Sequence, residues 1–180
     1  MKYTKNKINY FNLFKIPQEF CINKKLLKKN FYTLQIKYHP DKIKKKILHI
    51  NKKKIFSYNI NQGYQILKND FKRAIYLLKI LTIKIKNFKK LIIVDQKILK
   101  KQFKLYEKIE QLKNINHNLN QILIFKQTIE LKIKKNFSNI AFEFHNKNFF
   151  QVQKILYKLL FLKKILKKIN LLYDKKNNVS

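Results

Sequence analysis

Apolar residues recur at helical spacing along most of the chain. Leu27, Phe31, Leu34 and Tyr38 follow one another at intervals of four, three and four, which lines one face of a helix. The spacing predicts a helix over Asn23–Tyr38 with Asn23 as its N-cap. That helix has to stop near His39, because Pro40 disfavours helical geometry in the residue before it. A second helix is predicted from about Ile47 to Lys68, where Phe56, Ile60, Gly63 and Leu67 repeat the same intervals. Gly63 is the sole glycine, and inside a helix it costs about 1 kcal/mol relative to alanine. A small residue on the buried face would let two helices approach closely. A third piece, Phe71–Leu81, places Ala74, Leu77, Leu78 and Leu81 on its apolar side. Ahead of all three, Asn9–Ile16 reads NYFNLFKI, a brief helix or turn whose Tyr10, Phe11, Leu13 and Phe14 cap a core before Pro17 ends it.

Periodicity fades over Thr82–Lys90, which marks a domain boundary. Three longer amphipathic segments follow. Asp95–Lys113 carries Ile98, Leu105, Ile109 and Leu112 on one stripe, with Leu99 and Phe103 on a neighbouring face. Asn118–Phe144 repeats Ile122, Phe125, Ile129, Ile133, Phe137, Ile140 and Phe144. Asn148–Tyr173 repeats Val152, Ile155, Leu159, Leu162, Leu166, Ile169 and Tyr173. Alternating threes and fours make the seam of helices packed lengthwise, so a three-helix bundle is expected. With 1 Gly, 2 Pro and 46% hydrophobic residues, the fold class is all-α with a real core.

The formal net charge of +34 invites a nucleic-acid reading. Arg73, however, is the sole arginine among 43 basic residues. Lys, Asn, Ile, Phe and Tyr abound, and their codons are AT-rich. Genomic base bias is therefore our working hypothesis for much of this surface. A surface selected to grip phosphate would be expected to use arginine as well. Cys21 is the single cysteine, so no internal disulfide or thiolate cluster can form, which fits a reducing cytoplasm. Met1–Tyr10 lacks the apolar run of a signal peptide, and no stretch approaches the ~20 apolar residues of a membrane span.

Tyr38-His39-Pro40-Asp41-Lys42 lies between the first two long helices. A bare His-Pro-Asp triplet can simply be a loop in which the proline stops a helix. Its surroundings are more specific. Asn30–Lys42, NFYTLQIKYHPDK, resembles the second helix and loop of J-domains, and within that class the iron–sulfur co-chaperone family HscB. NYFNLF before a proline resembles that family's start. QEFCIN at Gln18–Asn23, NINQGYQIL at Asn59–Leu67 and NDFKRAIYLLK at Asn69–Lys79 resemble its later segments in the same order. The resemblance is dense from Asn9 to about Leu81 and thinner beyond.

The expected architecture is a J-domain over residues 9–82, an antiparallel helical hairpin with short flanking helices, and a client-binding three-helix bundle over 92–174. Pro40 would rigidify the loop, and Asp41 would present an acceptor-only carboxylate suited to an arginine fork. His39 stands beside it, and Lys25, Lys28, Lys29, Lys37 and Lys42 offer a positive face for steering onto an acidic surface. The resemblance implies a DnaK/HscA-class chaperone ATPase as partner, whose own residues perform the hydrolysis, so this chain is not expected to be an enzyme. It also implies a surface for an iron–sulfur scaffold protein of the IscU type, matched at Leu99, Lys100, Phe103, Lys104, Glu107 and Phe161. Leu99, Phe103 and Phe161 could equally be core, and for Phe161 the nearly all-round apolar helix favours core.

Lys100 stands where the family favours an apolar residue, and Lys104 and Gln111 where it favours acidic ones. Lys15 replaces a usual glycine, a change expected to be harmless. Some members carry metal-binding Cys-x-x-Cys motifs, which this chain lacks, so neither metal nor cofactor is expected. The protein is expected to be monomeric alone, cytoplasmic and free of membranes. The rival reading is a basic helical RNA- or ribosome-binding protein, whose binding would collapse with added salt. That reading explains neither the His-Pro-Asp loop nor the ordered matches around it. A cationic membrane-surface helix at Lys154–Lys168 is a third possibility, though the stretch reads better as the final bundle helix.

Overall fold

The computed structural model describes residues 8–38, 47–82, 96–114 and 119–178, without the side chains of 47–53, 96–99 and 114. Seven helices fill these residues: α1 Tyr10–Leu13, α2 Lys24–Tyr38, α3 Ile47–Lys68, α4 Asp70–Thr82, α5 Gln96–Asn114, α6 Leu119–His145 and α7 Phe149–Asn177. No strand occurs among the described residues, so the all-α reading holds. None of the described helices is long and apolar enough to cross a membrane. The chain forms two compact units, Met1–Leu81 and Thr82–Ser180.

Asparagines start most of these helices. The Asn9 side chain accepts from the Phe11 N–H at 2.9 Å and starts α1. Asn23 accepts from the Leu26 N–H at 3.0 Å, as its predicted N-cap role requires, and Asn69 does the same for Lys72 at 3.0 Å. Each satisfies one of the orphan N–H groups of a first turn. In the first unit, α2 and α3 pair side by side. Phe31 stacks on Tyr64 at 4.0 Å, Gln35 donates to Asn61 at 2.5 Å, and Tyr38 meets Phe56 at 4.6 Å. As the α2 number rises the α3 number falls, so the two run antiparallel. Leu27, Ile60, Leu67, Ala74 and Leu77 are buried from α2, α3 and α4.

The α1 rings close this core, with Phe11 and Phe14 fully buried and Tyr10 stacked on Tyr76 at 5.0 Å. Gly63 explains the close fit: a Cβ there would lie 2.7 Å from Tyr10 Cδ1 and 3.0 Å from Phe14 Cε2. The approach that the lone glycine permits is thus made by the α1 aromatics.

The second unit is an up-down-up bundle. Lys126 lies over the Tyr173 ring at 5.7 Å and Lys163 over Phe137 at 5.9 Å, an antiparallel pairing of α6 with α7. Tyr106 meets Phe161, and further along α5 the Leu112 carbonyl accepts from Lys176 Nζ at 3.0 Å, so α5 and α7 run the same way. Ile109, Leu112, Ile122, Ile129, Leu162, Ile165 and Ile169 form the shared core.

Lys15 differs from its expectation. Its φ is 49°, in the left-handed region, and it closes a Schellman motif in which Lys15 N–H bonds Asn12 O and Ile16 N–H bonds Phe11 O, each at 3.1 Å. A side chain there pays a steric cost that glycine avoids, so the replacement is not neutral. Lys147, at φ 55°, closes the same motif at the end of α6.

Candidate functional site

The α2–α3 hairpin orders the first candidate surface. One side of α2 packs on α3 and α1 through Leu27, Phe31 and the Asn30 side chain, which donates to Phe14 O at 2.7 Å. Lys25, Lys28, Lys29 and Lys37 lie off that side and are all exposed. Lys28 leans over the Tyr32 ring at 5.8 Å and Lys37 over Tyr38 at 5.5 Å. Among the described residues none of these four lysines is paired with a carboxylate, so their charge faces solvent. His39, Pro40, Asp41 and Lys42 lie outside the described residues; in sequence they follow the last residue of α2 directly.

The second candidate surface is the outer side of α5. Leu105, Ile109 and Leu112 turn toward the core, which leaves Lys100, Phe103, Lys104 and Glu107 exposed. The Phe103 ring is 64% exposed, so the core alternative fails for it. A shallow groove beside it is lined by Phe103, Tyr106, Glu107, Glu110 and Gln111. Phe161 behaves differently: half-buried, it packs on the core edge with its ring edge-on to Tyr106 at 5.4 Å. It is therefore a core-rim residue, as its apolar surroundings suggested, and it lies outside the groove lining. The Leu99 side chain lies outside the description.

Comparison with known proteins joins these two surfaces in one chain. Residues 9–76 match the family model "DnaJ domain", and residues 94–170 match "HSCB C-terminal oligomerisation domain". Co-chaperone protein HscB of Buchnera aphidicola from Acyrthosiphon pisum is 41% identical over 165 residues, covering 88% of this chain and 91% of its own length. The chain belongs to the HscB co-chaperone family. The HscB homolog of Vibrio vulnificus is 27% identical over 93% of this chain and 98% of its own. The fold agrees with solved structures. Chaperone HscB from Vibrio cholerae superposes with TM-score 0.81 at 23% identity, over 93% of this chain and 99% of that one. Human co-chaperone HscB does so at 0.79 and 22%, over 95% and 85%. Its relatives carry the name co-chaperone rather than that of an enzyme.

In this HscB family member, sequence reasoning missed the residues that brace the hairpin. In the sequence Arg73 stands out as the sole arginine and as part of a matching segment, with no bracing role attached to it. It is 3% exposed, and its guanidinium donates to Phe20 O at 2.8 Å, Leu67 O at 2.5 Å and Asp70 Oδ1 at 2.7 Å. Asp70 also holds Lys24 of α2 at 2.9 Å. One buried cation therefore ties the connector before α2, the end of α3 and the start of α4. Partial burial pushes the Asp70 carboxyl up, but hydrogen bonds and charge from Lys24 and Arg73 outweigh it and hold the group below its usual range. The Tyr76 hydroxyl accepts from Tyr10 N–H at 2.9 Å and donates to Ile8 O at 3.3 Å, seating α1. The signal available was scarcity: the one arginine in a lysine-rich chain occupies the place where a planar, multi-donor cation is needed.

Proposed function

We propose that this chain is a J-domain co-chaperone that stimulates the ATPase of a DnaK/HscA-class chaperone and delivers an IscU-type scaffold protein to it, in iron–sulfur cluster assembly. The carrying observation is one chain that combines an antiparallel hairpin bracketing His-Pro-Asp in sequence with an HscB-type C-terminal domain. The J-domain occupies residues 9–82 and the client-binding bundle 92–174. Asp41 offers its carboxylate to an arginine of the chaperone, Pro40 restricts the backbone before it, and His39 adds a ring donor or acceptor. Lys25, Lys28, Lys29, Lys37 and Lys42 steer the hairpin onto an acidic surface, raising the encounter rate more than the final affinity. The arginine-braced base of the hairpin holds that face in place, because a carboxylate aimed at a partner is useful only if its scaffold is rigid.

The client binds α5, with Phe103 as the apolar anchor and Lys100, Lys104 and Glu107 around it. Leu99 and Phe161 complete the proposed scaffold-binding set. The protein acts as a monomer in the cytoplasm, where a charge of +34 makes copies repel one another. Hydrolytic chemistry stays with the chaperone.

The test is single-turnover ATP hydrolysis by the cognate chaperone. Wild type accelerates the step, and Asp41→Asn loses at least about tenfold of that acceleration, as breaking a charge-assisted contact would. Equal acceleration by the variant, or none by wild type, refutes the assignment. RNA retention at low salt that collapses with added salt, with no acceleration of the ATPase, would instead favour the nucleic-acid reading.

A further inference from the structure

The outer side of α6 carries an apolar row that the fold leaves open. Ile124, Leu131 and Phe142 are 63%, 67% and 63% exposed. At intervals of four and three they share one line with Thr128, Lys135 and Ser138, which are exposed as well. Ile122, Ile129 and Ile140 are buried on the opposite side, so packing within the bundle does not use the row. Base composition can raise the number of isoleucines, phenylalanines and lysines; it does not align them on one side of a helix. The three tips stand roughly 10 Å and roughly 16 Å apart along the axis, at a rise of about 1.5 Å per residue.

The charge around the row has one sign. From Ile124 to Phe142 the helix carries Lys126, Lys132, Lys134 and Lys135 against a single carboxylate, Glu130. Lys126 turns to the Tyr173 ring. Lys135 lies in the row, Lys132 and Lys134 border it on either side, and all three are exposed. Glu130 falls on another side at helical spacing, and Glu143, just beyond the row, is half-buried.

These two features together select the occupant. Packing α6 against a second copy would bring the same lysines together on two chains of net charge +34. Nucleic acid would satisfy the lysines and leave Ile124 and Leu131 in water. A protein partner would need a separate pocket for each tip, because apolar anchors bind in well-packed pockets and these stand two and three turns apart on a convex helix. An anionic bilayer needs no such match. Its acyl region takes apolar tips wherever they stand, and its headgroup phosphates lie at the depth where lysine stems end.

We propose that the outer row of α6 is a peripheral docking face for anionic lipid. Ile124, Leu131 and Phe142 insert below the headgroups, and Lys132, Lys134 and Lys135 meet the lipid phosphates. The helix lies in the plane of the surface; no described helix is long and apolar enough to cross it. The membrane-free expectation rested on the missing span and on the α7 lysines, and the α6 row is a separate feature.

A chain of charge +34 adheres to anionic vesicles by charge alone, so the test varies the apolar row at constant charge. Full-length wild type and the triple variant Ile124→Ser, Leu131→Ser, Phe142→Ser are floated with vesicles of phosphatidylglycerol and phosphatidylcholine, and with phosphatidylcholine alone, at near-physiological salt. Wild type floats with the mixed vesicles and not with the neutral ones. The triple variant, its helicity checked by circular dichroism, loses at least about tenfold in apparent affinity, because its tips gain nothing by leaving water. The sequence has no tryptophan, so Leu131→Trp supplies a single emission probe. Its spectrum moves to shorter wavelength on the mixed vesicles, and that of Leu171→Trp, at an exposed α7 position, does not. Equal flotation of the triple variant, an unshifted Leu131→Trp spectrum, or an equal shift at Leu171→Trp overturns the proposal and leaves adhesion by charge. Self-association of wild type without vesicles, abolished in the triple variant by sedimentation equilibrium, overturns it in favour of a second copy.

Discussion

Single residues here do more than their local sequence suggests. Arg73 satisfies two backbone carbonyls and a carboxylate from inside the first unit. Arg73→Met keeps the apolar stem and removes every donor, leaving buried acceptors unpaired. The expected loss is roughly 3–5 kcal/mol, read by urea denaturation, and an unchanged midpoint would remove the bracing role. Lys15 and Lys147 give the opposite sign. Both occupy left-handed closing positions where glycine pays no Cβ penalty. Lys15→Gly and Lys147→Gly should each stabilise the protein by about 0.5–1 kcal/mol. A fall in stability for both would mean that these lysines make contacts worth more than their backbone strain.

At the scale of elements, the contact between α2 and α4 is electrostatic and therefore titrates. Asp70 bridges Lys24 of α2 and Arg73 of its own helix. Its carboxyl ionises at lower pH in the folded protein than in the unfolded chain. The unfolded state thus takes up the proton first on acidification. The stabilisation is complete above the ordinary carboxylate range, about pH 4, and is lost as pH falls through the depressed folded value. Denaturation curves between about pH 6 and pH 2 should show this loss for wild type, and Asp70→Asn should flatten it. An identical acid limb in the variant would place the sensitivity elsewhere. The exposed Glu110–Lys113 pair at 2.7 Å earns no such prediction, since surface pairs are screened by water.

For the whole molecule, the dominant long-range term is self-repulsion. A net charge of +34 on 180 residues opposes compaction. Added salt shortens the screening length from about 30 Å at 0.01 M to about 10 Å at 0.1 M. The melting temperature should therefore rise by a few degrees across that range, measured by calorimetry at constant pH. A flat or falling response would show that attractive pairs outweigh the repulsion.

The stripes led by Leu27, Ile60, Ile129 and Ile169 were legible because helical periodicity is local: burying one side of a helix imposes intervals of three and four wherever it occurs. The ordered motif around His39, Pro40 and Asp41 was legible for a related reason, since it is contiguous in the chain. Burial is not local. Leu156 and Ile165 of α7 are buried beyond the seam the sequence suggested, because α5 and α6 flank α7 on more than one side. The same geometry turned Phe103 outward and set Phe161 on the core rim. Arg73 finds an acceptor 53 positions away, and no window of sequence contains that distance. Amino-acid order alone determined which segments are helices and which family motif they carry; the meeting of those helices decided which side chains brace, which are buried and which face solvent.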